Sequence, residues 1–476
     1  MNRIRKSNSF FILFLIIFIT FIFAGANVQA KEISLEEALN WGIENNSAIK
    51  EIKDSIETIE RSLGLIDTEY GFKTKISANP IIAGDSSIIT NDESNSSESS
   101  DGPKISLKTT KLFPNGIILQ SEVSIKEEDW FDLEKLSEGL DSTFSATKNL
   151  YPVIPIESEQ EKYLASNNLL KARENLTWQQ EYKKIEFLES FFNLLRLQER
   201  LSLAKTNFQY AQEDLNKILK KIEIGEAGER QEIEAKIALK KAEINFLQAQ
   251  NTFLQQKNGW YLNLNLPEET EASLVEDSPF LEEIIKWADS LEFNLKEEEE
   301  LMELVVDNHY KIRNILLDQD SSQKEAEWNL AKNKPQVALF GAYSSQGNSW
   351  GIGIELSYDI FDGGKQKIED EGYQAKLENL EDDFLQIVSE LKLELSGLIN
   401  QQEINSLNLE EKLMSWEKAK LEEESYQIQL QQGLISDSEF QYKMLGLQES
   451  EINLKSAKDE ILINKLRMAH FLGFRK

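Results

Sequence analysis

The side chains that most often carry out chemistry in proteins are nearly absent from this sequence. It has no cysteine, which excludes disulfides, thiolate nucleophiles, iron–sulfur clusters and cysteine zinc sites. Its two histidines, His309 and His470, are too few for a multi-histidine metal site, and we expect both to be surface or packing residues. Paired carboxylates could still serve a hydrolase, but long helices supply no pocket for them. We therefore predict that the protein is not an enzyme and has no cofactor or metal.

The charge balance excludes nucleic acid as a partner. The chain of 476 residues has 52 Lys and Arg against 83 Asp and Glu, a net charge of −31. Phosphate binding requires a basic surface, which this composition does not offer. Apolar residues make up 40% and charged residues 28%. An ordinary globular chain has about 45–50% apolar residues, so this composition indicates a large exposed surface.

The first 30 residues have the pattern of a secretory signal peptide. Arg3-Ile4-Arg5-Lys6 precedes the apolar run Phe10–Ala24, and Val28-Gln29-Ala30 forms a small-residue cleavage site. The alternative is an uncleaved anchor, but the run falls short of the ~20 residues that span a bilayer. We predict export with cleavage after Ala30. Because no cysteine follows, the mature protein has no lipid-modified N-terminus.

Apolar residues at steps of three and four predict long helices with coiled-coil packing. The return helices and the early helices are each about half as long as the two long helices. Two half-length helices placed end to end therefore equal the length of one long helix that runs in the opposite direction. This relation predicts an antiparallel coiled-coil wall, an α-barrel. The long helices are 156–223 and 364–432, the return helices 229–263 and 437–471, and the early helices Ser34–Tyr70 and Asn294–Lys332.

The two halves of the chain share landmarks at a constant offset. Glu243-Ile244-Asn245 recurs 208 residues later as Glu451-Ile452-Asn453, and Gly225 has its counterpart Gly433 at the same offset. The sequence therefore predicts two internal repeats, 31–264 and 294–476, with an inter-repeat segment 265–293.

Alternating apolar and polar residues predict strands between the helices of each half. The second-half strands are Val337–Ser345 and Ile352–Ile360, joined by the loop Gln346–Trp350, within the strand region 336–361. The first-half region, about 72–151, holds Phe72–Ala83 and Ser142–Leu150, with an inserted hairpin 103–126 made of Ile105–Thr110 and Ile117–Ile125. The stretch Asp85–Asp101 is predicted to be a disordered or solvated loop.

Alternation by itself fits a soluble sandwich as well as a membrane sheet, and the number of strands is more informative. Four or six strands from one chain cannot close a transmembrane barrel, because the smallest has eight and open edges are not tolerated in lipid. If these strands enter a membrane, several chains must share one barrel.

Several short motifs, in order along the mature chain, resemble the TolC-like outer-membrane efflux protein family. The motifs are Ser34-Leu35-Glu36-Glu37-Ala38-Leu39, Asn45-Asn46-Ser47, Tyr358-Asp359-Ile360-Phe361-Asp362-Gly363-Gly364, Gly433-Leu434-Ile435-Ser436 and Phe471-Leu472-Gly473. The resemblance implies a mainly α fold with β strands, a homotrimer with a shared 12-stranded membrane β-barrel, and a periplasmic α-barrel. It also implies a passive exit duct for efflux or type I secretion in the outer membrane. The partners would be a periplasmic adaptor and an inner-membrane pump.

The resemblance also suggests which residues serve the duct. Glu439 falls where the family commonly has an acid, so it is a candidate pore constriction; the alternative is an ordinary helix N-terminal acid. Tyr442 replaces a second acid found in some members, and Gly225–Glu229 looks like a looser turn than its counterpart. Tyr343, Trp350 and Phe361 are candidate membrane-girdle aromatics or ordinary packing residues. The candidate adaptor contacts are Gly225, Glu226, Ala227, Gly433, Leu434, Ile435, Ser436 and Asp437.

A second interpretation belongs to a different class of protein. The same helices and strands fit a soluble periplasmic coiled-coil adaptor or scaffold with a small β domain. Such a protein would be soluble once the leader is removed or would stay with the inner membrane, whereas a channel would sediment with the outer membrane.

Overall fold

A computed structural model divides the chain into two compact units. Unit 1 consists of Met1–Glu51, Thr177–Val305 and Lys392–Lys476, and unit 2 of Ile52–Leu176 and Val306–Leu391. The predicted signal peptide and the predicted loop 85–101 lie outside the described residues. The described residues are 31–79, 104–126, 140–267, 270–276, 278–291 and 297–474.

Each half of the chain contains short helices, then strands, then a long helix and a shorter one. In order they are β1 (Lys31–Ile33), α1 (Leu35–Asn45), α2 (Ser47–Thr68), β2 (Phe72–Asn79), β3 (Lys104–Leu112), β4 (Ile117–Lys126), β5 (Leu140–Tyr151), α3 (Glu157–Glu223), α4 (Glu229–Leu264), β6 (Thr270–Ala272), α5 (Pro279–Asp289), α6 (Glu298–Asn308), α7 (Tyr310–Lys332), β7 (Gln336–Ser344), β8 (Ser349–Ser357), α8 (Lys365–Gln431) and α9 (Asp437–Phe471).

The four longest helices begin and end within one residue of the predicted positions. Helices α3 and α8 have 67 residues each, and α4 and α9 have 36 and 35. Gly225 and Gly433 follow the ends of the long helices with φ of +79° and +69°, a left-handed conformation that other residues rarely adopt. None of the helices in the described part of the chain combines the length and apolarity that a membrane-spanning helix requires.

The early helices differ from the prediction because each is interrupted. The single helices predicted over Ser34–Tyr70 and Asn294–Lys332 are wrong: extended residues, Asn46 and His309, separate α1 from α2 and α6 from α7. The Asn46 Oδ1 accepts from the Ile49 N–H at 3.3 Å, and the His309 Nδ1 accepts from the Lys311 N–H at 3.2 Å. Each side chain therefore caps a new helix where the periodic pattern continues unbroken.

The core of unit 1 is a cluster of aliphatic and aromatic side chains from α1, α3, α4, α5 and α9. Trp260 lies in it, 2% exposed, and its Nε1 donates to the Phe187 carbonyl at 3.1 Å. Strands β1 and β6 pair in parallel in the same unit. The buried members include Leu35, Ala38, Leu39, Phe187, Leu188, Phe191, Leu194, Leu195, Trp260, Leu264, Leu281, Ala288, Ile463 and Leu466.

Both histidines are buried. His309 is 2% exposed and His470 is 8% exposed. The His470 ring lies 4.1 Å from that of Trp178, and its Nε2 is 3.0 Å from the Trp178 carbonyl oxygen. His470 is therefore a packing residue, and His309 a buried helix cap.

Unit 2 contains a six-stranded antiparallel sheet in the order β2-β3-β4-β5-β7-β8. Strand β8 differs from the prediction: it covers Ser349–Ser357 rather than Ile352–Ile360. A 3-10 turn over Gln346–Asn348, with Gly347 at φ +76° and Asn348 at +49°, reverses the chain in three residues. The strand therefore starts earlier than predicted, and Trp350 belongs to it rather than to the loop.

Candidate functional site

The sheet of unit 2 has two chemically different faces. Residues paired directly across antiparallel strands point to the same side, so the register assigns each side chain to a face. We call one side the apolar face. Its apolar side chains, contributed by all six strands, are Phe72, Ile76, Ala78, Ile105, Leu107, Ile117, Leu119, Val123, Ile125, Leu140, Phe144, Ala146, Val337, Leu339, Tyr343, Trp350, Ile352, Ile354 and Leu356. The polar residues on the same side are Thr74, Thr109, Lys111, Ser121, Ser142 and Lys148.

The opposite side, the polar face, carries mainly hydroxyl, amide and charged side chains. Phe340 is an exception: it lies over Gly353, where an added Cβ would come within 2.5 Å of its ring. The polar members include Lys73, Lys75, Ser77, Ser106, Lys108, Thr110, Gln120, Glu122, Ser124, Asp141, Thr143, Ser145, Thr147, Ser344, Glu355 and Ser357.

The apolar face is open to the surroundings in a single chain. Ile352 is 73% exposed, Ile354 69% and Leu356 73%. A largely apolar, exposed surface of this kind marks a site that contacts lipid or another protein. The strands are 8 to 12 residues long, close to the 9–11 residues of a tilted membrane strand.

Two of the three predicted girdle aromatics lie together on the apolar face. Tyr343 pairs directly with Trp350 across β7 and β8, and the Phe144 ring lies 6.4 Å from that of Tyr343. These three rings form a row at the end of the sheet near the 3-10 turn. The third predicted residue, Phe361, is not in this row, because it follows the end of β8 and is 88% exposed. Phe144 lies in the predicted strand Ser142–Leu150 but was not among the predicted girdle aromatics.

The two outer strands of the sheet are unpaired on one side. Among the described residues, neither β2 nor β8 has a strand beyond it. Each therefore presents a row of free backbone N–H and C=O groups that another strand can pair with.

The two helical turns in unit 1 have the same backbone geometry. After α3, the Gly225 N–H donates to Ile222 and the Glu226 N–H to Lys221, at 3.0 and 2.8 Å. After α8, Gly433 and Leu434 make the matching bonds to Leu430 and Gln429, again at 3.0 and 2.8 Å. Both turns are therefore Schellman C-caps. The first turn is not looser at this end.

The turns differ where the next helix begins. The Ser436 side chain accepts from the Glu439 N–H at 3.2 Å, whereas Gly228 has no side chain and its N–H donates to Gln231 Oε1 at 3.1 Å. The predicted contact residues of both turns are exposed or half-buried, and Leu434 is 69% exposed. Glu439 is exposed in the first turn of α9, where a carboxylate also favours the helix dipole.

Contacts between α3 and α9 place the two turns at the same end of this helix pair. Lys217 donates to the Ser438 hydroxyl, and Tyr210 donates to Gln441 Oε1 at 2.9 Å. The Tyr442 ring packs edge-on against that of Tyr210, 6.2 Å away. Burial raises the pKa of Tyr442, and nearby carboxylates add to the effect. Tyr442 therefore occupies a packing position between helices.

Solved structures of outer-membrane proteins match the chain over most of its length. The outer membrane protein VceC from Vibrio cholerae is 12% identical, with 92% of this chain and 96% of VceC covered and a TM-score of 0.60. The Neisseria gonorrhoeae MtrE outer membrane channel in its open state is 12% identical, with coverage of 92% and 89% and a TM-score of 0.58. The Campylobacter jejuni CmeC outer membrane channel is 11% identical, with coverage of 92% and 85% and a TM-score of 0.58.

The chain has the TolC-like outer-membrane channel fold. The resemblance predicted from the motifs is thus confirmed for the fold. No protein-family model matches the sequence, and no curated protein matches it.

Unit 1 of this TolC-like fold also contains a buried charge network that the sequence did not reveal. Arg196 in α3 is 2% exposed. Its guanidinium donates to Asp459 Oδ2 at 2.7 Å, to Glu199 Oε2 at 2.8 Å and to Glu276 Oε1 at 2.5 Å. Lys455 adds a bond to Glu199 Oε1 at 2.7 Å. The network therefore joins α3, α9 and the segment after β6.

Burial and pairing act in opposite directions within this Arg196 network. Burial would lower the pKa of Arg196, but the hydrogen bonds that it donates to its carboxylate partners raise it overall. Burial raises the pKa of Asp459 to about 6, because loss of water outweighs the attraction of Arg196. The one available signal was a charged residue, Arg196, directly after the mostly apolar run Phe191–Leu195. Within the described part of the chain, no cluster of three or more His, Asp or Glu side chains is arranged to hold a metal ion.

Proposed function

We propose that the protein is an outer-membrane exit duct, a passive conduit through the outer membrane and periplasm in a tripartite efflux or type I secretion system. The observation that carries the proposal is the six-stranded sheet with one apolar face and two unpaired edges. Support also comes from the fold, which is shared with channels such as MtrE and CmeC. A sheet of this kind suits a lipid boundary on one side and water on the other.

Closure of the sheet requires further copies of the chain. Six strands are fewer than the eight of the smallest transmembrane barrel, and hydrogen-bonding edges cannot stay open in lipid. A homotrimer, as the resemblance implies, completes a shared membrane β-barrel. In this assembly the long helices form a periplasmic α-barrel.

The two matched turns support a duplicated chain with a docking end. Their equal length and equal Schellman bonds fit two repeats that present equivalent turns. We assign the contact with a periplasmic adaptor to Gly225, Glu226 and Ala227 and to the residues Gly433, Leu434, Ile435, Ser436 and Asp437. Glu439, one turn into α9, is the candidate constriction, where a threefold ring of carboxylates would concentrate cations.

In this proposal the duct supplies no energy. The inner-membrane pump drives transport and recognises the cargo, and the cargo diffuses outward once the helical end opens. The aromatic row Phe144, Tyr343 and Trp350 would lie at a membrane interface, where ring side chains anchor β-barrels.

Membrane fractionation followed by conductance measurement tests the proposal. The mature protein should sediment with the outer membrane, require detergent, migrate as an oligomer in mild SDS, and conduct ions in planar lipid bilayers. A soluble protein, or one that stays with the inner membrane, would instead support the adaptor interpretation. A stable, non-conducting monomer in detergent would contradict the proposed duct.

A further inference from the structure

The inserted hairpin β3–β4 is hydrogen-bonded into the sheet on both sides. Strand β3 pairs with β2 from Phe72↔Lys111 to Asn79↔Lys104. Strand β4 pairs with β5 from Ile117↔Lys148 to Ile125↔Leu140. The hairpin therefore separates β2 from β5 along the whole length of their shared region and is not an appendage of the sheet.

Both faces of the sheet extend through the hairpin, although Thr109, Lys111 and Ser121 interrupt the apolar face within it. On the apolar face, one row across four strands is apolar throughout: Ala78, Ile105, Ile125 and Leu140. On the polar face, the corresponding row is Lys75, Lys108, Glu122 and Thr143. A hairpin that lay in water on both sides would gain nothing from this alternation, whereas a membrane wall requires it.

The hairpin strands also have the length that a membrane wall needs. Strands β3 and β4 have 9 and 10 residues, matching the 9 residues of β7 and β8. A membrane-spanning strand has about 9–11 residues, so neither hairpin strand is too short to cross the hydrocarbon layer.

We infer that the hairpin is part of the membrane wall, so that each chain contributes six strands and three chains form an 18-stranded barrel. This inference rests on the proposed duct function and replaces the 12 strands that the family resemblance implies. The apolar face of β3 and β4 contacts bilayer hydrocarbon, and the β8 edge of each copy pairs with the β2 edge of the next.

The strand directions allow this closure. Five antiparallel pairings separate β2 from β8, so these two strands run in opposite directions. A β8 strand of one copy therefore meets a β2 strand of the next in antiparallel fashion, with the apolar faces on the same side. An even number of strands from each chain is what makes every junction between copies antiparallel.

The added strands set the width of the barrel. With strands about 4.8 Å apart and tilted about 40°, a 12-stranded barrel has a backbone diameter of about 24 Å. The same geometry gives about 36 Å for 18 strands, because the diameter grows in proportion to the strand number. The wider barrel would accept bulkier cargo.

Cysteine labelling tests the inference, because the natural chain contains no cysteine. We would compare Leu107→Cys on the apolar face of β3 with Lys108→Cys on its polar face. The matched controls in β8 are Ile354→Cys and Glu355→Cys. Each full-length variant is reconstituted as the oligomer in phosphatidylcholine vesicles and treated with a charged maleimide.

The expected result is the same alternation in both strands. The cysteines at positions 107 and 354 should react at least about ten-fold more slowly than those at 108 and 355, because a thiol in hydrocarbon does not ionise to the reactive thiolate. Equal fast labelling at 107 and 108, with alternation kept in β8, would overturn the inference and leave the proposed function standing. Loss of alternation in both β3 and β8 would contradict the inference about the hairpin and the proposed function as well.

The diameter of the barrel provides a second measurement that needs no substitution. Averaged electron-microscopy views of the purified oligomer along its axis should show a β ring with a backbone diameter of about 36 Å. A ring of about 24 Å would contradict the inference even if the labelling alternates, since it would leave no room for the hairpin strands in the wall.

Discussion

Arg196 shows how a single buried cation can hold several chain segments together. It contacts carboxylates from α3, from α9 and from the segment after β6, and it is almost fully buried. Removing one partner from a buried ion network leaves uncompensated charges, which is more costly than the net value of the network.

Arg196→Gln should therefore destabilise the protein strongly. We expect a loss of about 3–5 kcal/mol in the free energy of unfolding, because the three carboxylates remain in place without their shared donor. Chemical unfolding followed by circular dichroism in detergent measures the change. Arg200→Gln, four residues further along α3 at an exposed position, is the control and should change stability by less than about 0.5 kcal/mol. Equal effects of the two substitutions would contradict the proposed role of the network.

Asp459 should give the stability of unit 1 a distinct dependence on pH. Its pKa is raised to about 6 in the folded state, above the ordinary value of 3.8. Between these values the folded protein binds a proton that the unfolded chain releases, so this group's contribution to stability decreases as pH rises from 4 to 6. The decrease is on the order of 2 kcal/mol.

Asp459→Asn removes this titration while keeping the shape of the side chain. The difference in unfolding free energy, wild type minus variant, should therefore fall as pH rises from 4 to 6 and stay level above pH 7. Unfolding at matched pH values measures it, and the subtraction cancels the titration of the other carboxylates. A difference that rises over this interval would show that pairing with Arg196, rather than burial, dominates the pKa of Asp459.

At the scale of the element, the long helices were predictable and the interruptions were not. Apolar periodicity and the glycines at 225 and 433 set the helix ends to within one residue, because both are local properties of the chain. The interruptions at Asn46 and His309 depend on whether a side chain bonds its own backbone. That choice is decided by packing, so the periodic pattern does not show it.

The glycine of each turn should be sensitive to substitution. Gly433→Ala places a Cβ on a residue with φ of +69°, and we expect a loss of about 1–2 kcal/mol in stability. Gly225→Ala should cost a similar amount, since its φ is +79°. Guanidinium unfolding of the detergent-solubilised protein measures both.

Gly446→Ala in α9 is a control in which the same substitution should have the opposite effect on stability. Gly446 lies inside a helix, and nothing lies within 4 Å of an added Cβ. Alanine there should stabilise the protein by about 0.5–1 kcal/mol. A stabilising effect of Gly433→Ala as well would show that the turn adopts another conformation in solution.

At the scale of the whole molecule, the proposed duct places the sheet in an assembly with lipid on one side. Ile354 and Glu355 are neighbours in β8 and point to opposite faces. The proposed duct places the first against hydrocarbon and the second in the aqueous lumen, so the same charge should have very different effects at the two positions.

Ile354→Lys should therefore impair membrane assembly, whereas Glu355→Lys should leave it intact. A lysine on the lipid face costs about 2–4 kcal/mol per chain near the bilayer centre, and near zero in a water-filled lumen. Urea-induced unfolding of the protein from lipid vesicles compares the two variants. Equal tolerance of lysine at both positions would indicate that the apolar face of β8 does not contact lipid.

The sequence by itself determined the lengths of the four longest helices, the positions of both turns, the presence of the strands and the resemblance that the fold confirmed. These features depend on periodicity, on glycine positions and on short motifs, and each of these signals lies within one short stretch of the sequence. Only the tertiary structure decided that β3 and β4 lie between β2 and β5, and that Arg196 meets Asp459 and Glu276. Strand order and buried ion pairing join residues that are distant along the chain, so their energies depend on the whole fold rather than on any local pattern.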